Sequence, residues 1–191
     1  MKRIFHSKHL LFVLFFCTLL PTTVNAFGKS KPHFVDTIKL HGYIDTYGNL
    51  RLKNTHFEVL PEDLTIVGFL DIESSNITRL PDTLVVKGYL NASHSKLTRI
   101  PKIEVGGYMN FTGSSLSALP AGLTVNGDLS LVDTPITNLP RRLNVKGNLY
   151  LSNTKINKLP PDLRVSGDVY LRGTKVKEIP KGLAIRGTIY R

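Results

Sequence analysis

Residues 139 to 158 read "LPRRLNVKGNLYLSNTKINK". The next stretch reads "LPPDLRVSGDVYLRGTKVKE", with Leu, Pro, Val, Gly, Thr and a β-branched residue at the same places. The same spacing runs through most of the chain. Pro61, Pro81, Pro101, Pro120, Pro140, Pro160 and Pro180 form one column, and Gly48, Gly68, Gly88, Gly107, Gly127, Gly147, Gly167 and Gly187 form another. The step is 20 residues, except that one residue is missing after Pro101, in "IPKIEVGG". No other feature limits the fold as strongly. A unit this short cannot bury its own apolar side, so successive units must stack and share one continuous core.

Inside a unit the apolar residues alternate. Leu143 and Val145 make one short run, Leu149 and Leu151 another, and Gly147 lies between them. Alternation sends one set of side chains inward and the other outward, which is the pattern of a strand. A Pro in every unit leaves room for no more than about one helical turn beside the strands. The spacing therefore predicts an all-β parallel solenoid of about eight coils, with little or no helix, on the order of 40 Å long at ~4.8 Å per coil.

The inward columns are expected to be core. One runs Leu50, Leu70, Leu90, Met109, Leu129, Leu149, Val169, Ile189; the next includes Ala92 beside Phe111, a small residue against a large one in adjacent coils. A column of hydroxyls follows: Thr55, Ser75, Ser95, Ser114, Thr134, Thr154 and Thr174. Regular threonines on a flat solenoid can also bind ice. A hydroxyl that bonds turn backbone is the preferred expectation. The Gly column is expected to permit a tight corner or a positive φ, and the Pro column to mark where the sheet ladder stops.

The stretch "LYLSNTKINKLP" resembles the L-x-L-x-x-N-x-L-x-x-L-P core of leucine-rich repeats, in particular the short bacterial type with Leu-Pro in each repeat. The resemblance covers about Ile44 to Arg191. It departs from that family in two ways: Thr or Ser replaces the repeat Asn, and the L-x-V-x-G half reads as a second strand. The second of these departures implies a cross-section flatter than the family's horseshoe, closer to a two-sheet solenoid. Such repeats serve many partners, so it implies architecture more than function.

The outward columns carry the candidate site. In-register stacking puts Phe69, Tyr89 and Tyr108 in one run on the front sheet, with Tyr150, Tyr170 and Tyr190 in a second run offset sideways. Such ladders stabilise stacked strands. They also present flat, rigid contact area of the kind found at protein hot spots and under sugar rings. A basic edge follows the hydroxyl column and includes Lys96, Arg99, Lys155, Lys158 and Lys175. Exposed cations blunt sheet edges; beside an aromatic face they would also favour an acidic partner, whether protein or glycan.

The start of the chain reads as an address. Lys2, Arg3 and Lys8 precede an apolar run from Leu10 to Leu20, and Val24 and Ala26 suit a cleavage site. That layout predicts a signal peptide over 1–26 and an exported, periplasmic or secreted product. The apolar run is shorter than the ~20 residues a spanning helix needs, so no transmembrane anchor is expected after processing. Residues 27–43 are irregular and are expected to cap the solenoid of residues 44–191. Cys17, the only cysteine, lies in the leader, so no disulfide is expected. With 25 Lys and Arg against 14 Asp and Glu, the net charge is +11. That favours acidic partners, with nucleic acid not expected for an exported chain. The sequence "GTIYR" leaves the last coil without a polar cap, an edge that could pair with a second copy.

Catalytic and cofactor motifs are missing from this sequence: no H-E-x-x-H, no G-x-S-x-G and no phosphate loop. Asp128 and Asp168 share a column two coils apart, about 10 Å by strand spacing, a separation that an inverting glycosidase pair can have. The sequence therefore predicts a recognition or scaffold module that is not an enzyme and carries no cofactor. A self-associating envelope protein is the alternative, and a polysaccharide-active enzyme is a lesser one.

Overall fold

A computed structural model describes residues 40–191. The chain winds as a parallel β-solenoid of about seven turns. The described residues hold no helix beyond a single helical pair at 40–41. The expectations for the signal peptide (1–26) and for most of the cap lie outside these residues.

Each coil carries two strands of two residues. The front strands are β1 (Leu50–Arg51), β3 (Leu70–Asp71), β5 (Leu90–Asn91), β7 (Met109–Asn110), β9 (Leu129–Ser130), β11 (Leu149–Tyr150), β13 (Val169–Tyr170) and β15 (Ile189–Tyr190). They form one eight-stranded parallel sheet in strict register, with Leu50 opposite Leu70, then Leu90, then Met109. At about 4.8 Å per step this sheet is about 34 Å long. The back strands are β2 (Thr65–Ile66), β4 (Val85–Val86), β6 (Glu104–Val105), β8 (Thr124–Val125), β10 (Asn144–Val145), β12 (Arg164–Val165) and β14 (Ala184–Ile185).

The cross-section has a third side. Between the hydroxyl column and Pro the chain runs extended and bonds to the coil before it: Ser115 N–H donates to Ser95 O at 3.2 Å, Ser117 to Thr98 at 3.0 Å and Lys175 to Ile156 at 2.9 Å. Front sheet, side ladder and back sheet enclose a single core. Leu129, Val145, Leu149 and Ile156 are fully buried in it, as are Ala92 and Phe111, the small and the large residue of one column in adjacent coils. Each such aliphatic side chain stabilises the coil stack by ~1.5–3 kcal/mol relative to exposure.

The corners explain the conserved spacing of small and polar residues within the repeat. Six positions after the repeat Gly the backbone turns left-handed in each of seven coils, at Asn54, Ser74, His94, Gly113, Asp133, Asn153 and Gly173. The hydroxyl that follows locks the corner. Thr134 Oγ1 donates to Leu131 O at 2.7 Å, Thr154 to Leu151 O at 2.8 Å, and Ser95 Oγ to Ala92 O at 2.7 Å. The hydroxyl column is thus structural and mostly buried. Pro opens the opposite corner, where its carbonyl accepts from the residue three on, as in Leu163 to Pro160 at 3.1 Å.

The repeat Gly has a different role from the expected one. Only Gly48 in that column has a positive φ, +74°. Apart from Gly107, where an added Cβ would meet nothing closer than 3.4 Å, the others are Gly because coils touch there. A Cβ on Gly88 would sit 2.7 Å from Gly68 O, and one on Gly127 2.9 Å from Tyr108 N. Removing the side chain lets Gly88 N–H reach Gly68 O at 2.8 Å and Gly147 N–H reach Gly127 O at 3.0 Å. The column is a backbone-to-backbone seam.

The missing residue after Pro101 breaks the back sheet. Strands β2, β4 and β6 form one sheet and β8, β10, β12 and β14 another. In the short coil Ile103 N–H donates to Pro101 O, only two residues back, at 3.0 Å. Beyond it Asn126 Nδ2 bridges the break to Val105 O at 3.0 Å, in the place a backbone N–H takes in other coils. A cleft of about 510 Å³ opens there, between Lys87 and Asn126.

Candidate binding face

The front sheet turns alternate side chains outward in two columns, and in-register pairing fixes what meets what. The six aromatics form two separate stacks. Phe69 lies on Tyr89 at 4.4 Å between ring centres and Tyr89 on Tyr108 at 4.5 Å, with planes 10° and 9° apart. Tyr150 lies on Tyr170 at 4.7 Å and Tyr170 on Tyr190 at 4.9 Å. The Arg51 guanidinium covers the other end of the first stack, 4.7 Å above Phe69, a cation–π contact.

This packing decides which part of each ring is available. Interior rings have neighbours on both faces, so they offer edges and hydroxyls. Tyr108 and Tyr190 end their stacks and are 41% and 47% exposed. Burial raises the Tyr108 phenol above its ordinary value of 10, with Tyr89 adding to the effect; burial and then Asp168 do the same for Tyr170. Both therefore stay protonated at neutral pH and present O–H groups, not phenolates.

Where one column is aromatic, the other is polar. Beside the first stack Asn91 Nδ2 donates to Asp71 Oδ1 at 3.0 Å and Asn110 Nδ2 to Asn91 Oδ1 at 3.2 Å; Thr112 Oγ1 donates to Asn110 Oδ1 at 2.7 Å and is hydrogen-bonded to the Ser130 hydroxyl at 2.8 Å. Beside the second stack Asp128, Asn148 and Asp168 each accept the backbone N–H of the residue one coil on, at 2.7 to 2.8 Å. The aromatic and polar columns exchange sides at the fifth front strand, β9, where Asp128 and Ser130 leave a ring-free notch. The carboxylates considered as a catalytic pair, Asp128 and Asp168, are therefore fixed by these backbone bonds.

The basic candidates are not on this sheet. Lys96, Arg99, Lys155, Lys158 and Lys175 are exposed, but they lie past the left-handed corner, on the side ladder. Aromatic and basic columns occupy neighbouring sides of the coil. The polar ladder of the front sheet and the left-handed corner column do not follow from the apolar alternation of the sequence. A column of Asn, Ser, His, Gly and Asp at one spacing is the signal for such a corner. Among the described residues no three His, Cys, Asp or Glu gather as metal ligands, and no helix is long and apolar enough to cross a membrane.

Comparison of the chain with family models, with curated proteins and with solved structures returns no match. What the structure shares with short leucine-rich-repeat proteins is a parallel solenoid with units about 20 residues apart.

Proposed function

We propose that the protein is an exported, non-enzymatic recognition module of the bacterial Leu-Pro repeat type. Its front face would bind a protein or glycan partner. The observation that carries this reading is the pair of aromatic stacks on one unbroken eight-stranded sheet. Stacking holds each ring in place before a partner arrives, so little side-chain entropy is left to lose on contact. Ring edges, phenol hydroxyls and the flanking amide ladder supply mixed apolar and hydrogen-bonding contact, as rigid aromatic interfaces do.

The test is a binding screen of residues 27–191 against cell-surface proteins and glycans, with Tyr150→Ala/Tyr170→Ala and Tyr108→Ala variants run beside it. A ligand lost at least tenfold in a variant that still melts cooperatively supports the reading. A ligand that survives every front-face variant removes it. Self-association is the second reading. Strands β14 and β15 pair on one side only, and Leu183, Ile185 and Ile189 are half-buried where their counterparts are enclosed. Sedimentation over a hundredfold concentration range separates the two readings.

A further inference from the structure

Charge is divided sharply along the solenoid. Residues 40–138 carry 7 Lys and Arg against 10 Asp and Glu, a net of −3, whereas residues 139–191 carry 12 against 3, a net of +9. All twelve of those cations are exposed. Among the described residues only Arg141 of the twelve has a carboxylate within salt-bridge distance, Asp162 at 3.9 Å. Of the three acids, Asp162 is that partner and Asp168 already accepts Thr188 N–H at 2.8 Å. Within the segment the positive charge is therefore almost uncompensated.

The cations are also spread around the coil. Lys155 and Lys175 stand one above the other on the side ladder, about 4.8 Å apart by strand spacing. Arg164 lies on the back strand β12, and Lys146 and Arg186 follow back strands β10 and β14 in a shared column. A like-charged surface of this density repels itself, a cost that a polyanion removes by replacing its counterions. We infer that the last three coils, residues 139–191, bind a linear acidic polysaccharide along their side and back. This goes beyond the front-face reading and uses no residue of the front sheet, since Lys155 and Lys175 lie on the side ladder.

The geometry favours a flexible chain over the other anionic surfaces. A bilayer is flat and would meet one side of the coil. In these three coils Tyr190 is the only exposed large apolar residue, so there is no hydrophobic anchor to insert beside the cations. A DNA duplex is stiff over about 150 base pairs and would likewise touch one side. A polysaccharide with a carboxylate or sulfate on successive units can follow the surface from side ladder to back sheet.

The test uses heparin and polygalacturonate as probes, dextran as the neutral control, and the chain of residues 27–191. Saturable binding to both polyanions is expected at 50 mM salt, none to dextran, and a loss of at least tenfold by 500 mM as the charges are screened. Lys155→Glu/Lys175→Glu and Arg164→Glu/Arg186→Glu should each weaken it at least tenfold. Lys53→Glu/Lys87→Glu, in the first coils, should change it less than threefold. Tyr108→Ala should leave it unchanged, so the front-face reading can fail without this one failing. Three outcomes overturn the inference: equal losses in the first-coil control, no binding at 50 mM salt, or tighter binding to phosphatidylglycerol vesicles or a 20-base-pair duplex than to heparin. Because the substituted side chains are exposed, the variants are expected to melt as the parent does, and the circular dichroism melt checks this.

Discussion

At the scale of single residues, the tightest constraint is the absence of a side chain. Gly88 keeps an ordinary φ, yet its added Cβ would meet Gly68 O at 2.7 Å and Gly68 C at 2.9 Å, both backbone atoms that cannot swing aside. Gly88→Ala is expected to force the two coils apart and to cost about 2–4 kcal/mol, read as a lower urea midpoint. A loss under about 0.5 kcal/mol would mean that the seam yields easily and that the Gly column has another cause. Asp45 sets a different residue-level limit. Its carboxylate accepts the N–H groups of Tyr47 and Asn49 and the side chains of Asn49 and Arg51, holding the first turn against β1. The Asn49 bonds lead in lowering its pKa from 3.8 to about 2. A carboxylate lowered by folding stabilises above its unfolded pKa and loses that contribution as pH falls through its folded one. Melting temperature should therefore drop between about pH 4 and pH 2, and Asp45→Asn should flatten that part of the curve. An unchanged acid limb in the variant would show that other carboxylates control it.

At the scale of elements, the stacks make an ordered prediction. Tyr170 touches a ring on each face and Tyr190 on one. A stacked aromatic pair contributes about 0.5–1.5 kcal/mol beyond area burial. Tyr170→Ala should therefore cost roughly twice what Tyr190→Ala does in chemical denaturation, and Tyr170→Phe should cost much less than either. Equal losses at Tyr170 and Tyr190 would show that the rings act singly. These stacks were legible in the sequence because register is inherited from the 20-residue step: once Tyr150, Tyr170 and Tyr190 share a column, pairing at strand spacing brings their rings together. The apolar columns and the second strand of each coil were legible for the same reason. The corners were not. A left-handed φ at His94 or Ser74 is invisible when the column is read only for its chemistry, and Gly in a conspicuous column invites that conformation where close approach is the cause. Nor was the third side legible, because its ladder is carried by backbone atoms of residues such as Ser115 and Lys175 that show no apolar alternation. Sequence columns placed Lys155 near the aromatics; only the turn between them shows that they face different sides.

At the scale of the whole molecule, coils couple mainly to their neighbours, so one defective junction divides the rod into two blocks. That junction is the break between β6 and β8. The front sheet crosses it without interruption, through β7 and β9, while the back sheet relies there on the Asn126 side chain. The short coil lacks one residue of the Pro corner, and its tighter turn accompanies the lost pairing of Thr124 and Asn126 with the coil before. Inserting Thr between Lys102 and Ile103 restores the 20-residue step. The back strands should then join in one sheet, recovering two backbone bonds at about 1 kcal/mol each. Amide exchange at Thr124 and Asn126 should slow at least tenfold, and the two blocks should melt closer together. Gly106 gives the competing cause, since a Cβ there would strike Lys87 O, which shows how closely that part of the coil already approaches its neighbour. If the insertion leaves exchange at Thr124 and Asn126 unchanged, the break is set by this close approach at Gly106 and not by the missing residue, and the cleft beside Lys87 would persist whatever the length of the turn.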